Sequence, residues 1–141
     1  MYIDPERIRS HFANDRSASE NGIVINYVTE DCAVCSMEII GRHRNAAGGV
    51  QGGAVFTLAD FAFAAHSSLA LVCGEDIGVT VGQSCSISFL KSTRGSRLTA
   101  VSSCLSKGCS VSVYRICAED DPGVRIAEMP ANGFTSAKRT K

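Results

Sequence analysis

The chain predicts an α+β fold in which an antiparallel sheet wraps around one long central helix, and three observations carry that reading. Residues 54–72 are rich in alanine and leucine and lack a polar stripe, the pattern of a helix buried on most sides. From Gly78 onward, apolar residues alternate with serine, threonine and glycine, as half-buried strands do. Turn-forming residues separate these runs at hairpin spacing, and the apolar helix is the only long element available to cover the sheet.

Along the chain, Asp4, Pro5 and Glu6 form a helix start: a capping carboxylate, a proline in the first turn and acid at the positive end. With Ile8 and Phe12 four apart on one face, a helix over about 5–14 is expected, ending in the polar run from Asn14 to Asn21. Gly22 opens a strand at about 23–28, and a second follows at about 33–41. A glycine-rich loop from Arg42 to Gly53 leads into the helix. The alternation of Val79, Val81, Cys85, Ile87 and Phe89 with small polar residues marks the next strand. Arg94 to Ser96 is a turn, Leu98 to Leu105 a strand, and Lys107 with Gly108 a tight hairpin into Cys109 to Ala118. Asp120, Asp121, Pro122 and Gly123 make another turn. A last strand runs from Val124 towards Ser136, with Pro130 signalling an irregularity or an edge. The tail, about 138–141, is expected to be disordered.

The 141 residues make one domain, 1–141. Hydrophobic residues are 45% and charged residues 20%, a globular composition. The 14 basic residues balance 14 acidic ones, which argues against binding nucleic acid through bulk phosphate neutralisation. The charged N-terminus lacks the apolar run of a signal peptide, and no stretch has the length of a membrane span. A cytoplasmic protein without membrane association is the expectation. Seven cysteines then read as reduced thiols packed like small hydrophobes. Cys32 and Cys35 form a CxxC, but residues three apart on a strand point to opposite faces, so no metal or other cofactor is expected there.

Asp60 is the exception within the apolar helix. Burying a lone carboxylate costs several kcal/mol, so an acid there needs either an internal partner or a use. Gly52 and Gly53 stand where the helix begins and leave backbone N–H groups free at the positive end of its dipole. They are either a plain loop-to-helix turn or a place where a carbonyl oxygen turning negative is held. Gly53 and Asp60 share a helix face but lie about 10 Å apart along the axis. One substrate that uses both needs the carboxylate of a second subunit, which predicts a homo-oligomer, a dimer or a dimer of dimers.

The spacing of Asn45, then Gln51, Gly52 and Gly53, then Leu58, Ala59 and Asp60 resembles the signature of the hotdog-fold acyl-CoA thioesterases, in their phenylacetyl-CoA thioesterase-like branch. That family reads Asn-x-x-Gly-x-x-His-Gly-Gly and then a helix with Leu-Ala-Asp. The strand order, and Phe89-Leu90-Lys91 closing the strand after the helix, extend the likeness over most of the chain. The resemblance implies hydrolysis of an acyl-CoA to free acid and coenzyme A, with no cofactor beyond the coenzyme A of the substrate. It assigns the polarising N–H to Gly52, a carbonyl- or water-holding role to Asn45, and the general base or nucleophile to Asp60. Thr80 matches a hydroxyl that assists the water in some relatives. Gly53 would lie against the substrate, and Lys91, Arg94, Arg97 and Lys107 would meet the phosphates of coenzyme A.

Gln51 replaces the family's histidine. Glutamine still donates a hydrogen bond but exchanges no proton near neutral pH. That substitution motivates an alternative, a non-catalytic acyl-CoA binding domain of the same fold. A hotdog dehydratase fits less well, because its chemistry wants a histidine facing a carboxylate. His66 is six residues beyond Asp60 and faces away from it, whereas His43, in the loop, is free to approach a substrate. Small side chains at Ala62, Ala64 and Ala65 would leave room for an aryl or medium-length acyl group.

Overall fold

The computed structural model describes residues 3–138. Asp4 does start the first helix, α1 (Pro5–His11): its Oδ1 accepts from the Glu6 N–H at 3.0 Å, and Pro5 fills the first turn. The helix stops at His11 rather than near residue 14. Asp15 then caps a second short helix, α2 (Arg16–Glu20), accepting from the Ala18 N–H at 2.9 Å, where the sequence reads only as a polar run. So short a segment is not helical by propensity. The cap and the burial of Ala18 hold it.

Two strands follow, β1 (Ile23–Val28) and β2 (Cys32–Glu38), the latter ending before the expected residue 41 because Gly41–His43 turn into a short 3-10 segment. The long helix α3 (Gly52–Ser67) begins at the paired glycines. It does not continue unbroken to Val72. The chain breaks step at Ser68 and resumes as α4 (Leu69–Val72), since serine side chains compete for the helix's own carbonyls: the Ser67 hydroxyl donates to the Ala64 carbonyl at 3.3 Å.

The expected strand at 79–89 is two strands, β3 (Thr80–Cys85) and β4 (Ser88–Phe89). Three long ones complete the sheet: β5 (Arg97–Lys107), β6 (Val111–Asp120) and β7 (Arg125–Thr135). All seven strands form one antiparallel sheet in the order β1-β2-β5-β6-β7-β3, with β4 also on β7. The gap between β3 and β4 lies opposite Met129 and Pro130, because Cys85 pairs with Ala131 and Ser88 with Glu128. Pro130 therefore marks an irregularity, not an edge. The β5–β6 connection is a three-residue loop rather than a two-residue hairpin, closed by Gly108 N–H donating to the Val111 carbonyl at 2.9 Å.

The core lies between α3 and the concave face of the sheet. Val55, Leu58, Ala59, Phe61, Ala62, Phe63 and Ala65 meet Cys35, Met37, Leu98, Ile116 and Met129, and alanines at 33, 100, 118 and 131 let the helix come close. Phe61 receives the ring of Phe12 edge-on at 5.2 Å, which draws the N-terminal helices onto α3.

The two sheet edges differ. On β1, the guanidinium of Arg9 donates to the outward carbonyl of Ile25 at 2.8 and 3.1 Å. On the other side β3 is bare, and the alternation that the sequence predicts as half-buried is not realised. Val81 is 55% exposed and Phe89 54%, because a register shift between Gly82 and Ser84 and the lack of a covering layer leave both sides open.

All seven cysteines are free. Cys35 is buried and its thiol is pushed up to about 12 by loss of water, whereas Cys85 and Cys109 are exposed, so not every cysteine packs like a core residue. Lys138 pairs with Asp76 at 3.0 Å; the rest of the expected disordered tail lies outside the described residues.

Candidate active site

One sheet cannot enclose a helix, and α3 keeps a strip free. Gly53, Thr57, Asp60, Ala64 and Ser68, three or four residues apart, are exposed or half-buried while the opposite side is closed by the core. Asp60 therefore does not sit in the packed interior as the sequence suggests. It stands exposed on the uncovered strip, and among the described residues no ion pair holds it. Its carboxyl is nonetheless raised above the ordinary carboxylate range, first by the water that neighbouring atoms displace and then by the negative charge of Asp15. The Cys85 thiol on β3 is raised too, by lost hydration and then by Asp60. Carboxylate, α2 cap and edge-strand thiol thus share one electrostatic neighbourhood.

At the start of α3, Gln51 occupies the capping position at φ −67° and ψ 138°, but its exposed side chain makes no capping hydrogen bond. Its backbone does the work instead. The Gln51 N–H donates to the His43 carbonyl at 2.8 Å, and the Gln51 carbonyl accepts from Ala54 at 3.0 Å and Val55 at 3.3 Å. Among the described residues the N–H groups of Gly52 and Gly53 have no acceptor. Two donors are left pointing out of the positive end of a helix dipole, which suits a developing oxyanion.

The loop before them is fixed by Asn45. Its Oδ1 accepts from the N–H of Ala47 at 3.0 Å and of Gly49 at 3.1 Å, so its carbonyl oxygen organises the loop and only the amide nitrogen remains for a ligand. Thr80 is half-buried and its hydroxyl shares a 2.7 Å hydrogen bond with that of Thr135. Lys91 lines the groove next to Gly52, and Arg94 is exposed nearby in sequence. Arg97 pairs with Glu38 at 2.8 Å, while Lys107 lies at the other end of α3, beside His66. Of the four basic residues expected at the coenzyme A phosphates, Lys91 is the one that lines the groove beside Gly52.

Neither histidine is free. His43, expected to be available to a substrate, is buried: its Nδ1 accepts from the Ile40 N–H at 3.0 Å, so its Nε2 carries the proton and donates to the Asn21 carbonyl at 3.0 Å. His66 is buried with Nε2 donating to the Glu30 carbonyl at 3.0 Å and Nδ1 accepting from the Ser102 hydroxyl at 3.0 Å. Burial lowers its pKa, and Lys107 adds to that, against partial offsets from the Glu30 carbonyl and Asp31. Ala62 and Ala65 are buried against the sheet, which leaves Ala64 as the one of the three small residues on the open strip.

No protein-family model matches the chain, and no curated protein matches it by sequence. Solved structures do. The PaaI protein of the E. coli phenylacetic acid degradation operon superposes with a TM-score of 0.81 at 26% identity, covering 96% of this chain and 95% of that one. A thioesterase from Haemophilus influenzae gives 0.85 at 20% identity, covering 97% and 93%. A mutant thioesterase from Pseudomonas aeruginosa gives 0.83 at 21%, covering 97% and 96%. The chain has the hotdog fold. Its structural neighbours are PaaI-like and other hotdog-fold thioesterases, as the motif at 45–60 suggests.

Within this hotdog, three features escape the motif. Asp15 reads only as part of a polar run, and its nearness to Asp60 depends on Phe12 docking against Phe61. The nearness of Cys85 depends on the path of β3. The third is Phe89, whose ring lies on Gly52. Among the described residues no group of three or more His, Cys, Asp or Glu side chains is arranged to hold a metal, and no helix is long and apolar enough to cross a membrane.

Proposed function

We propose that the chain hydrolyses an acyl-CoA thioester to free acid and coenzyme A, as a homodimer or dimer of dimers whose sites lie between subunits. The observation that carries this reading is the pairing, on the open strip of α3, of an unpaired carboxyl raised above its usual range with two acceptor-free amides seven and eight residues earlier. At 1.5 Å per residue these groups stand about 10 Å apart, too far to act together on one carbonyl. A second chain, docked along the bare edge of β3 and laid antiparallel on the open strip, brings its Asp60 to the first chain's Gly52.

In that arrangement the Gly52 N–H holds the thioester oxygen, with Gly53 against the substrate and Gln51 donating from its side chain. The partner's Asp60 takes a proton from water as the water oxygen bonds to the acyl carbon. The electron pair moved onto the carbonyl oxygen returns, the carbon–sulfur bond breaks, and the thiolate leaves with the proton. A carboxyl with a raised pKa is the stronger base once ionised. If Asp60 acts instead as the nucleophile, its carboxylate oxygen bonds to the acyl carbon, the carbon–sulfur bond breaks and the thiolate leaves, and water then cleaves the mixed anhydride. Labelled water that enters at the Asp60 carbonyl leaves its oxygen in the Asp60 carboxyl after a single turnover. Asn45 and Thr80 position the loop and the edge strand, and Lys91, which lines the groove beside Gly52, meets the coenzyme A phosphates, with the exposed Arg94 close to it in sequence. No cofactor takes part.

The test is thiol release from a panel of aromatic and aliphatic acyl-CoA esters. Asp60→Asn is expected to lower turnover by at least about 100-fold, the contribution of a general base. Micromolar binding of the esters with no thiol released by the unaltered protein identifies the alternative, a binding domain in which Gln51 has replaced a needed histidine.

A further inference from the structure

Phe89 is an anomaly for a large apolar side chain. It sits on a two-residue strand, paired through Ala127, and its residue is 54% exposed. Yet its ring has a fixed seat. A Cβ built on Gly52 would lie 2.9 Å from Phe89 Cζ and 3.2 and 3.3 Å from its two Cε atoms, so the ring edge rests on the bare Cα of residue 52. No such contact exists at Gly53, where an added Cβ meets nothing within 4 Å. The ring also forms one wall of a groove of about 490 Å³ beside the helix start, whose apolar side is made by Val50, Val55, Leu90 and Ile126 and whose polar side carries Lys91.

A ring there has two physical consequences. It excludes water from one side of the Gly52 peptide, and a hydrogen bond made in a drier setting is stronger. It also narrows the approach, so that a flat thioester entering the groove is confined between the ring and the helix end.

We propose that Phe89 is a positioning residue for the thioester, its ring seated on Gly52 so as to hold the substrate carbonyl against the first amides of α3. The inference rests on the reading under Proposed function. It also assigns a reason for glycine at 52 that is separate from the N–H: alanine keeps the N–H but displaces the ring.

The experiment is a double-mutant cycle on Gly52→Ala and Phe89→Ala, with Phe89→Tyr as the conservative variant. Turnover is followed by thiol release, and binding by calorimetry with a non-hydrolysable thioether analogue of an acyl-CoA. Each alanine variant is expected to lower kcat about 10- to 100-fold, more than it changes KM, because a slightly misplaced reacting group is costly. The double variant should be no worse than the poorer single one, since both remove the same contact. Phe89→Tyr, which keeps the ring on Gly52, should retain activity within about three-fold. Multiplicative losses in the double variant, or Phe89→Ala turnover within two-fold of the unaltered enzyme, overturn the role of Phe89 and leave the thioesterase reading intact. If the protein binds the analogue but releases no thiol, the cycle is read on affinity, with the same non-additivity expected. If it neither binds nor hydrolyses, both readings fall.

Discussion

A site shared between chains has a consequence that a site within one chain lacks: two dead proteins make a live one. Asp60→Asn removes the base, and Gly52→Pro removes the amide hydrogen. Proline suits the first helical turn, and Gln51, at φ −67° and ψ 138°, already has the extended conformation that a residue before proline adopts. The new ring displaces the Phe89 ring from its seat on Gly52, and at 54% exposure Phe89 has solvent to move into. In a hybrid dimer one site receives both lesions and the other receives neither. Random assembly of equal amounts makes half the dimers hybrid, each with one intact site of two, so the mixture should recover roughly a quarter of the unaltered activity per chain. Each parent alone should show at most about 1%. The assay is thiol release after the two chains are co-expressed, or unfolded together and refolded. Activity equal to the mean of the parents refutes the shared site, because then every site carries one lesion.

Asp15→Asn tests the electrostatics. Asparagine still caps α2, but the negative charge that helps to raise Asp60 is gone, so the acid limb of the kcat/KM profile should move to lower pH; an unmoved limb dissociates Asp15 from the site. Asp60→Asn should also stabilise the fold in a pH-dependent way. Because the folded carboxyl is raised, the unaltered protein loses stability as pH climbs from the ordinary 3.8 through the folded value, and the loss is complete above it. The variant's gain in Tm should therefore be absent below 3.8 and constant near neutrality; a gain at all pH values points to packing instead. Leu58→Ala, at a fully buried position of α3, should cost about 2–5 kcal/mol in urea unfolding at fixed chain concentration, and a cost under about 1 kcal/mol contradicts the packing described.

Much of this molecule is legible in residue order, and the rest is not for identifiable reasons. The long helix, the pairing of the last three strands and the site motif follow from alanine-rich helical composition, period-two alternation and the glycine pair. Those are local signals; the structure realises the helix as far as Ser67 and the pairing of the last three strands. Where a signal depends on what covers a surface, the chain by itself misleads. Val79, Val81 and Phe89 alternate like core residues yet stay largely exposed, and Asp60 looks interred but stands in the open, because among the described residues no layer covers them. Helix α2 is invisible to propensity since five residues are held by a cap and one buried alanine. His43 reads as a loop residue, and only the turn at Gly41–His43 folds it inward onto the Asn21 carbonyl.

The arginine on the β1 edge makes the two borders of the sheet unequal. A sheet with both borders open adds copies without end, which is the route to filaments. Here Arg9 occupies the outward oxygen of Ile25, so an acceptor in the middle of the β1 border is already taken. The guanidinium that tethers the N-terminal helix thus also makes β1 the poorer border for a further strand, and leaves β3 the better one.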